Sequence, residues 1–225
     1  VYRGHVATEK NVFKYALFVS FFPQLVAGPI ERSGNLLSQL KSGKKFDYEE
    51  ARKGFLIMLW GFFLKIVVAD RVAIFVDAVY ENTEIFNGFY IVIATMLFAV
   101  QIYFDFYGYS SIAVDAAKIL GIRLMENFES PYLSVSVADF WRGWHISLTT
   151  WFKDYLYIPM GGNRKGKLRK YINKIVVFLV SGLWHGASMS FVVWGGLNGI
   201  YQVVGEILTP VKKRISSFLG LHDNT

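Results

Sequence analysis

Residues 85–104 read IFNGFYIVIATMLFAVQIYF, and this stretch decides the class of the protein. Its twenty residues carry no charge and are interrupted only by Asn87, Thr95 and Gln101. An α-helix needs about 20 apolar residues to cross a ~30 Å hydrocarbon layer. The stretch therefore predicts a membrane-spanning helix. It runs directly into Asp105-Phe106-Tyr107-Gly108-Tyr109-Ser110. An acid at a membrane boundary requires a partner or water.

The rest of the chain agrees in composition. Hydrophobic residues make up 53% of the 225 positions and charged residues 18%, against about 25% charged in a typical soluble domain. Four more apolar segments absorb the difference, at 12–30, 54–70, 175–189 and 190–208. The first is broken by Pro23, Gly28 and Pro29, so it is expected as a kinked span or a re-entrant element. The last two carry Gly182, Gly186, Gly195, Gly196, Gly199 and Gly205. Small residues let membrane helices approach closely, which points to a tight hairpin or two abutting spans. The fold class expected is all-α: a polytopic helical bundle forming a single membrane domain over 1–225, with one amphipathic helix and one re-entrant or hairpin element.

The net charge of +7 is not the mark of a nucleic-acid binder here. The basic residues sit between apolar segments, around 31–53, 115–174 and 212–214, while 70–84 reads as an acidic connection. Lys and Arg bias sets orientation, so the basic connections are expected on the cytoplasmic side. If the hairpin enters the bilayer near Lys174, His185 lies about 11 residues in, or roughly 16 Å, close to the bilayer centre. The chain contains no cysteine, which excludes thiolate metal ligands and a thiol nucleophile. It opens at Val1 without a signal-peptide pattern, and is expected to be a piece of a longer protein.

The chemistry concentrates between Phe140 and Ser188, which hold two of the four histidines and four of the six tryptophans. Ser136-Val137-Ala138-Asp139 fits a helix-start capping box. From there Trp141, Trp144, His145, Leu148, Trp151, Phe152 and Tyr155 fall on one face of a helical wheel, predicting an amphipathic helix over 137–157. Pro159 and Gly161-Gly162 end it. The second histidine follows in Gly182-Leu183-Trp184-His185-Gly186. A histidine near the bilayer centre is costly and is a functional candidate by default. His145, on an aromatic face, is equally compatible with packing alone, and its pairing with His185 raises its weight. One neutral imidazole would serve as general base, and the other would hold the donor or meet developing oxyanion charge.

Other chemistries fit less well. Two histidines forty positions apart make a weak metal site, and no metal is expected. Gly161 to Leu168 nearly matches a phosphate-binding loop but ends in Leu168 where a hydroxyl is required. No G-x-S-x-G elbow is present. A transporter or channel lined by polar residues would account for His185 and the glycine-rich hairpin, but not for the tryptophan-rich helix.

Several stretches together resemble the membrane-bound O-acyltransferase family, in its bacterial branch. They are Phe22-Pro23-Gln24-Leu25-Val26-Ala27-Gly28-Pro29-Ile30, Tyr103 to Ser110, Pro131-Tyr132 to Leu148, Trp151 to Arg164, and Gly182 to Ala187. They occur in family order over about 13–205. The resemblance implies that His185 is the family's catalytic histidine and His145 the second motif residue. It implies that Trp141, Arg142, Trp144, Asp154, Asn163 and Trp184 bind substrate or line a tunnel. It also implies acetyl-CoA or another acyl thioester as cytoplasmic donor, with no bound cofactor. The acceptor would be the hydroxyls of an extracytoplasmic polysaccharide such as alginate, reached through a periplasmic SGNH-type acetyltransferase, and the location a bacterial inner membrane. D-alanyl transfer to teichoic acid, or peptidoglycan O-acetylation, is the alternative within the same fold. Two positions depart from the family pattern: Gly143 replaces a common second Arg, and Ser111 a common Asp.

Overall fold

Among the described residues helix is the regular element, joined by one isolated antiparallel bridge between Phe128 and Trp144. The computed structural model describes residue 4 and residues 6–25, 28–42 and 45–218. Val26, Ala27 and Lys44, which figure in the first apolar stretch and the polar connection after it, lie outside the described residues. The chain divides into two units, Val1–Asn127 and Phe128–Thr225, each described by itself.

In the first unit Asn11 caps α1 (Val12–Ser20), its side chain accepting from the Lys14 backbone N–H at 3.1 Å. At nine residues α1 is about 14 Å long, half of what a span requires. A short 3₁₀ turn and α2 (Ser33–Lys41) follow. Buried Glu31, just before α2, accepts from the Met125 backbone N–H and from Asn35 Nδ2. This ties α2 to the chain at Met125. Phe21, Leu36, Val114, Ala117, Ile122 and Leu124 form a small apolar cluster beside it.

The next helices run on without interruption. Asp47 accepts from the Glu50 N–H and opens α3 (Tyr48–Phe62), which passes through a π-helical turn (Phe63–Ala69) into α4 (Asp70–Glu81). The acidic connection expected at 70–84 is thus mostly helix. Val76 and Val79 are buried on its inner side, and that apolar stripe outweighs the charges on the rest of its surface.

The long α5 (Gly88–Ile119) returns along α3 and α4. A Cβ on Gly61 would lie 2.8 Å from the Gly108 carbonyl oxygen, and one on Gly108 would lie 2.7 Å from the Gly61 carbonyl oxygen. The two backbones touch there, as glycine permits. Lys65 passes over Gly108 and pairs with both Asp70 and Asp105 at 2.6 Å. Asp105 thereby has its partner. Trp60, Phe63, Ile66, Ile74 and Met96 remain exposed. Such residues, where they form a contiguous patch, mark lipid or protein contact.

In the second unit Ser136 accepts from the Asp139 N–H at 3.1 Å and opens α6 (Val137–Gly143). The single amphipathic helix expected over 137–157 does not form. It is broken into α6, α7 (Ile146–Phe152) and a π-helical turn (Lys153–Tyr157). The cause lies at Gly143, where a Cβ would collide with the Glu129 carbonyl. There Glu129 N–H donates to the Gly143 carbonyl (2.9 Å), diverting that carbonyl from the helix.

The chain then forms the hairpin α8 (Gly166–His185) and α9 (Met189–Phe218). Gly182 faces the Phe191 carbonyl and Gly195 the Phe178 carbonyl, with no room for a side chain at either position. The hairpin reading of 175–208 is the one this contact favours. At its open end Glu206 receives both Lys170 and Lys174, the latter at 2.5 Å. Among the described residues, two helical stretches, Gly88–Ile119 and Met189–Lys212, are long and apolar enough to cross a membrane.

Candidate active site

The break between α6 and α7 places the first histidine. Trp144 leaves the helix with extended backbone (φ −105°, ψ 124°). Its indole packs among Phe128 (centroids 5.1 Å apart, 88°), Phe140 (5.4 Å, 17°) and Tyr132 (6.1 Å, 28°). With Trp144 held there, His145 turns the chain through the left-handed region (φ 44°, ψ 56°), and its carbonyl accepts from the Thr149 N–H to start α7. A non-glycine residue in this region costs of order 1–3 kcal/mol and persists only where surrounding structure holds it. The three rings and the Gly143–Glu129 bond supply that hold.

His145 is 7% exposed. Burial, with the charge of His185 as a smaller contribution, pushes its imidazole down to about 4. At neutral pH it is uncharged, with one nitrogen to donate and one to accept.

The second histidine ends α8, where the chain turns toward α9. Its ring is set by other rings. Trp184 presents an edge (5.0 Å, 76°), Trp194 another (5.3 Å, 86°), and Phe191 stacks at 6.0 Å and 26°. Gly186 makes this possible, since a Cβ there would meet the Phe191 ring at 2.8 Å. Trp184 also lies 6.4 Å from the His145 ring, so one indole stands beside both imidazoles.

Both histidines line a single cavity of about 990 Å³ in the second unit. Of the residues singled out in sequence, Trp141, Arg142, Trp144 and Asn163 also line it. Arg142 is ion-paired with Asp139, and Asn163 accepts from the Tyr157 hydroxyl. Trp184 and Asp154 do not reach the cavity wall. Trp184 is 55% exposed beside the histidines, and Asp154 is an exposed residue of the π-helical turn.

Among the lining residues that sequence reading did not assign to the site are Ser181, Lys170, Lys174 and Glu206. A signal for three of them was available in the spacing, because Lys170 and Lys174, and Ser181 and His185, are each four apart on α8 and share a face. Glu206 could be found only by folding the hairpin. The cavity thus has a basic end held by Glu206 and an imidazole end bounded by aromatic rings. Such a space is suited to a ligand with an anionic portion and a small reactive apolar portion.

Comparison with known proteins accounts for the pattern. Residues 4–216 match the family described as MBOAT, membrane-bound O-acyltransferase family. The chain is 39% identical over 210 residues to the probable alginate O-acetylase AlgI of Pseudomonas fluorescens, covering 92% of this chain and 42% of that protein. It is 43% identical over 188 residues to the peptidoglycan O-acetyltransferase of Helicobacter pylori, covering 83% of this chain and 36% of that protein. With the teichoic acid D-alanyltransferase of Bacillus subtilis it shares 29% identity over 205 residues, covering 85% of this chain and 51% of that protein. The chain spans about two fifths of the length of the alginate O-acetylase. Over residues 4–216, this chain belongs to the membrane-bound O-acyltransferase family.

Proposed function

We propose that the whole protein is a multi-pass O-acyltransferase of a bacterial cytoplasmic membrane. It moves an acetyl group from a cytoplasmic thioester donor, acetyl-CoA, toward hydroxyls of an extracytoplasmic polysaccharide such as alginate. The observation that carries this reading is the convergence of His145 and His185 on one cavity from separate elements, with Trp184 beside both. His185 accepts the proton of the acceptor hydroxyl, whose oxygen attacks the thioester carbonyl while the thiolate leaves. His145, kept neutral by burial, donates its single N–H to the oxyanion that forms. With no cysteine in the chain, direct transfer is preferred to an acyl-enzyme.

The hairpin supports the depth required. Its charged end is marked by Lys174 and Glu206, and His185 lies about 16 Å further along α8, half of a ~30 Å bilayer. A group at that depth is reachable from both faces. The acceptor would then be a carrier site on a periplasmic SGNH-type acetyltransferase, which passes the acetyl group to the polymer. A second reading, D-alanyl transfer to teichoic acid, is supported by the similarity to the Bacillus subtilis protein.

The test uses membranes carrying the full-length protein and acetyl-CoA labelled in the acetyl group. Label should pass to polysaccharide with wild-type protein and not with His185→Ala. Equal transfer by the two would sink the proposal, and transfer of D-alanine in place of acetyl would favour the second reading.

A further inference from the structure

One side chain outside the histidines connects both walls of the site. Asn198 of α9 accepts from the Trp141 indole N–H through Oδ1 (3.2 Å) and donates through Nδ2 to the Trp194 carbonyl (2.9 Å). Trp141 stands on α6, four residues before His145. Trp194 presents its ring edge to His185, and the two tryptophan rings meet edge-on at 5.7 Å and 75°. One turn further along α9, Gln202 donates to the Val137 carbonyl at 3.2 Å, at the start of α6.

These contacts divide the surface of α9. Gly195 and Gly199 face α8, against the Phe178 carbonyl and Ile175, while Asn198 and Gln202 face α6. An amide bonded at both ends has a single orientation. A part-buried indole N–H that loses its acceptor carries a desolvation penalty. The amide of Asn198 therefore fixes where α6 sits along α9. His145 follows α6, and the ring wall around His185 belongs to α9.

We infer that Asn198 is a positioning residue for the proposed transfer, setting the approach of His145 to His185 through Trp141 and Trp194. It touches neither donor nor acceptor. The inference rests on the functional reading above, and its test separates the two.

Purified full-length protein in lipid nanodiscs is assayed with labelled acetyl-CoA and the purified periplasmic acetyltransferase as acceptor, as Asn198→Ala, Trp141→Phe, the double variant and His185→Ala. Rates are normalised to folded protein by size-exclusion profile. Misplacement of a reacting group by a fraction of an ångström lowers turnover and leaves donor binding in place. Asn198→Ala should lower kcat about tenfold with donor KM within about twofold of wild type. Trp141→Phe, which keeps an aromatic ring but lacks the N–H, should do the same. Because the two side chains share one hydrogen bond, the double variant should fall no further than the worse single variant. Wild-type kcat in Asn198→Ala overturns the inference, as do multiplied losses in the double variant or a loss confined to the amount of folded protein. Undiminished transfer by His185→Ala overturns the functional reading instead.

Discussion

The two histidines reach one cavity from unlike surroundings. His145 is buried, held in a strained left-handed turn between two short helices, and kept uncharged. His185 ends a long helix at the tip of a hairpin, set by three aromatic rings and open to the cavity. One is fixed by its backbone, the other by its neighbours. The difference suits identical side chains to the different roles proposed for them. A buried neutral imidazole is suited to donating a hydrogen bond where charge develops, and an accessible one to exchanging a proton with an arriving hydroxyl.

The most severe break of this contrast is at the hairpin tip. Removing a general base costs about 10²–10⁴-fold, so His185→Ala should lower acetyl transfer about 10³-fold while the protein still inserts and folds. Steady-state transfer in nanodiscs, with size-exclusion profiles as the folding control, measures it. A loss under about tenfold would remove His185 from the base role.

His145→Asn breaks the other side with less effect. Asn tolerates the left-handed backbone, so the substitution removes the imidazole and keeps the turn. Loss of one oxyanion donor costs about 10²-fold in kcat. Asn retains an N–H of shorter reach, so the expected loss is near that figure or somewhat below it. A rate equal to that of His185→Ala would mean that the two histidines act as one unit rather than in separate roles.

How much of this contrast could be read from sequence differs between its halves. The hairpin was legible: apolar residues run from Ile175 onward, and glycines recur where α8 and α9 touch. The cap at Ser136 was legible too, because a hydroxyl followed three residues later by an acid is a local signal. The break at His145 was not. Aromatic residues keep helical spacing straight through it, and no proline interrupts them. What ends α6 is a bond between Gly143 and Glu129, fourteen residues apart, on which local periodicity is silent. The family pattern marks Gly143 only as standing in place of a second Arg, whereas the fold leaves it no room for a side chain. The helix at 70–81 is obscured differently: its charges mask the face shared by Val72, Val76 and Val79. Asn198 carries no sequence signal, because a single amide in an apolar helix has no pattern.

The buried histidine also leaves a mark on stability. Its folded pKa of about 4 lies below the ~6.5 of an unfolded histidine. Between those values the unfolded chain binds more protons than the folded one, so stability rises with pH across this window. It falls as pH drops from 6.5 toward 4 and levels off below that. A displacement of this size corresponds to roughly 3 kcal/mol. Thermal melts between pH 4 and 7 should show the loss in wild type and a flatter profile in His145→Asn. Parallel profiles would mean that His145 is hydrated and titrates normally, which would erase its distinction from His185.

The smallest expected effect tests whether the hairpin is secured at its charged end as well as along its glycines. Glu206 receives both Lys170 and Lys174, and all three side chains are 22–28% exposed. Partly exposed pairs contribute about 1 kcal/mol or less, and Glu206→Gln would leave the two lysines facing each other without a counter-charge. The melting temperature should fall by about 2–4 °C for each kcal/mol lost. Salt should shrink this difference, because screening weakens the interactions of exposed charges and hardly touches buried ones. The His145 contribution arises from desolvation and should persist at the same ionic strength. Melts of wild type, Glu206→Gln and His145→Asn at low and high salt therefore separate the two regions in one experiment. If added salt reduces both differences alike, His145 is not shielded from solvent, and its assigned role as a neutral donor fails with it.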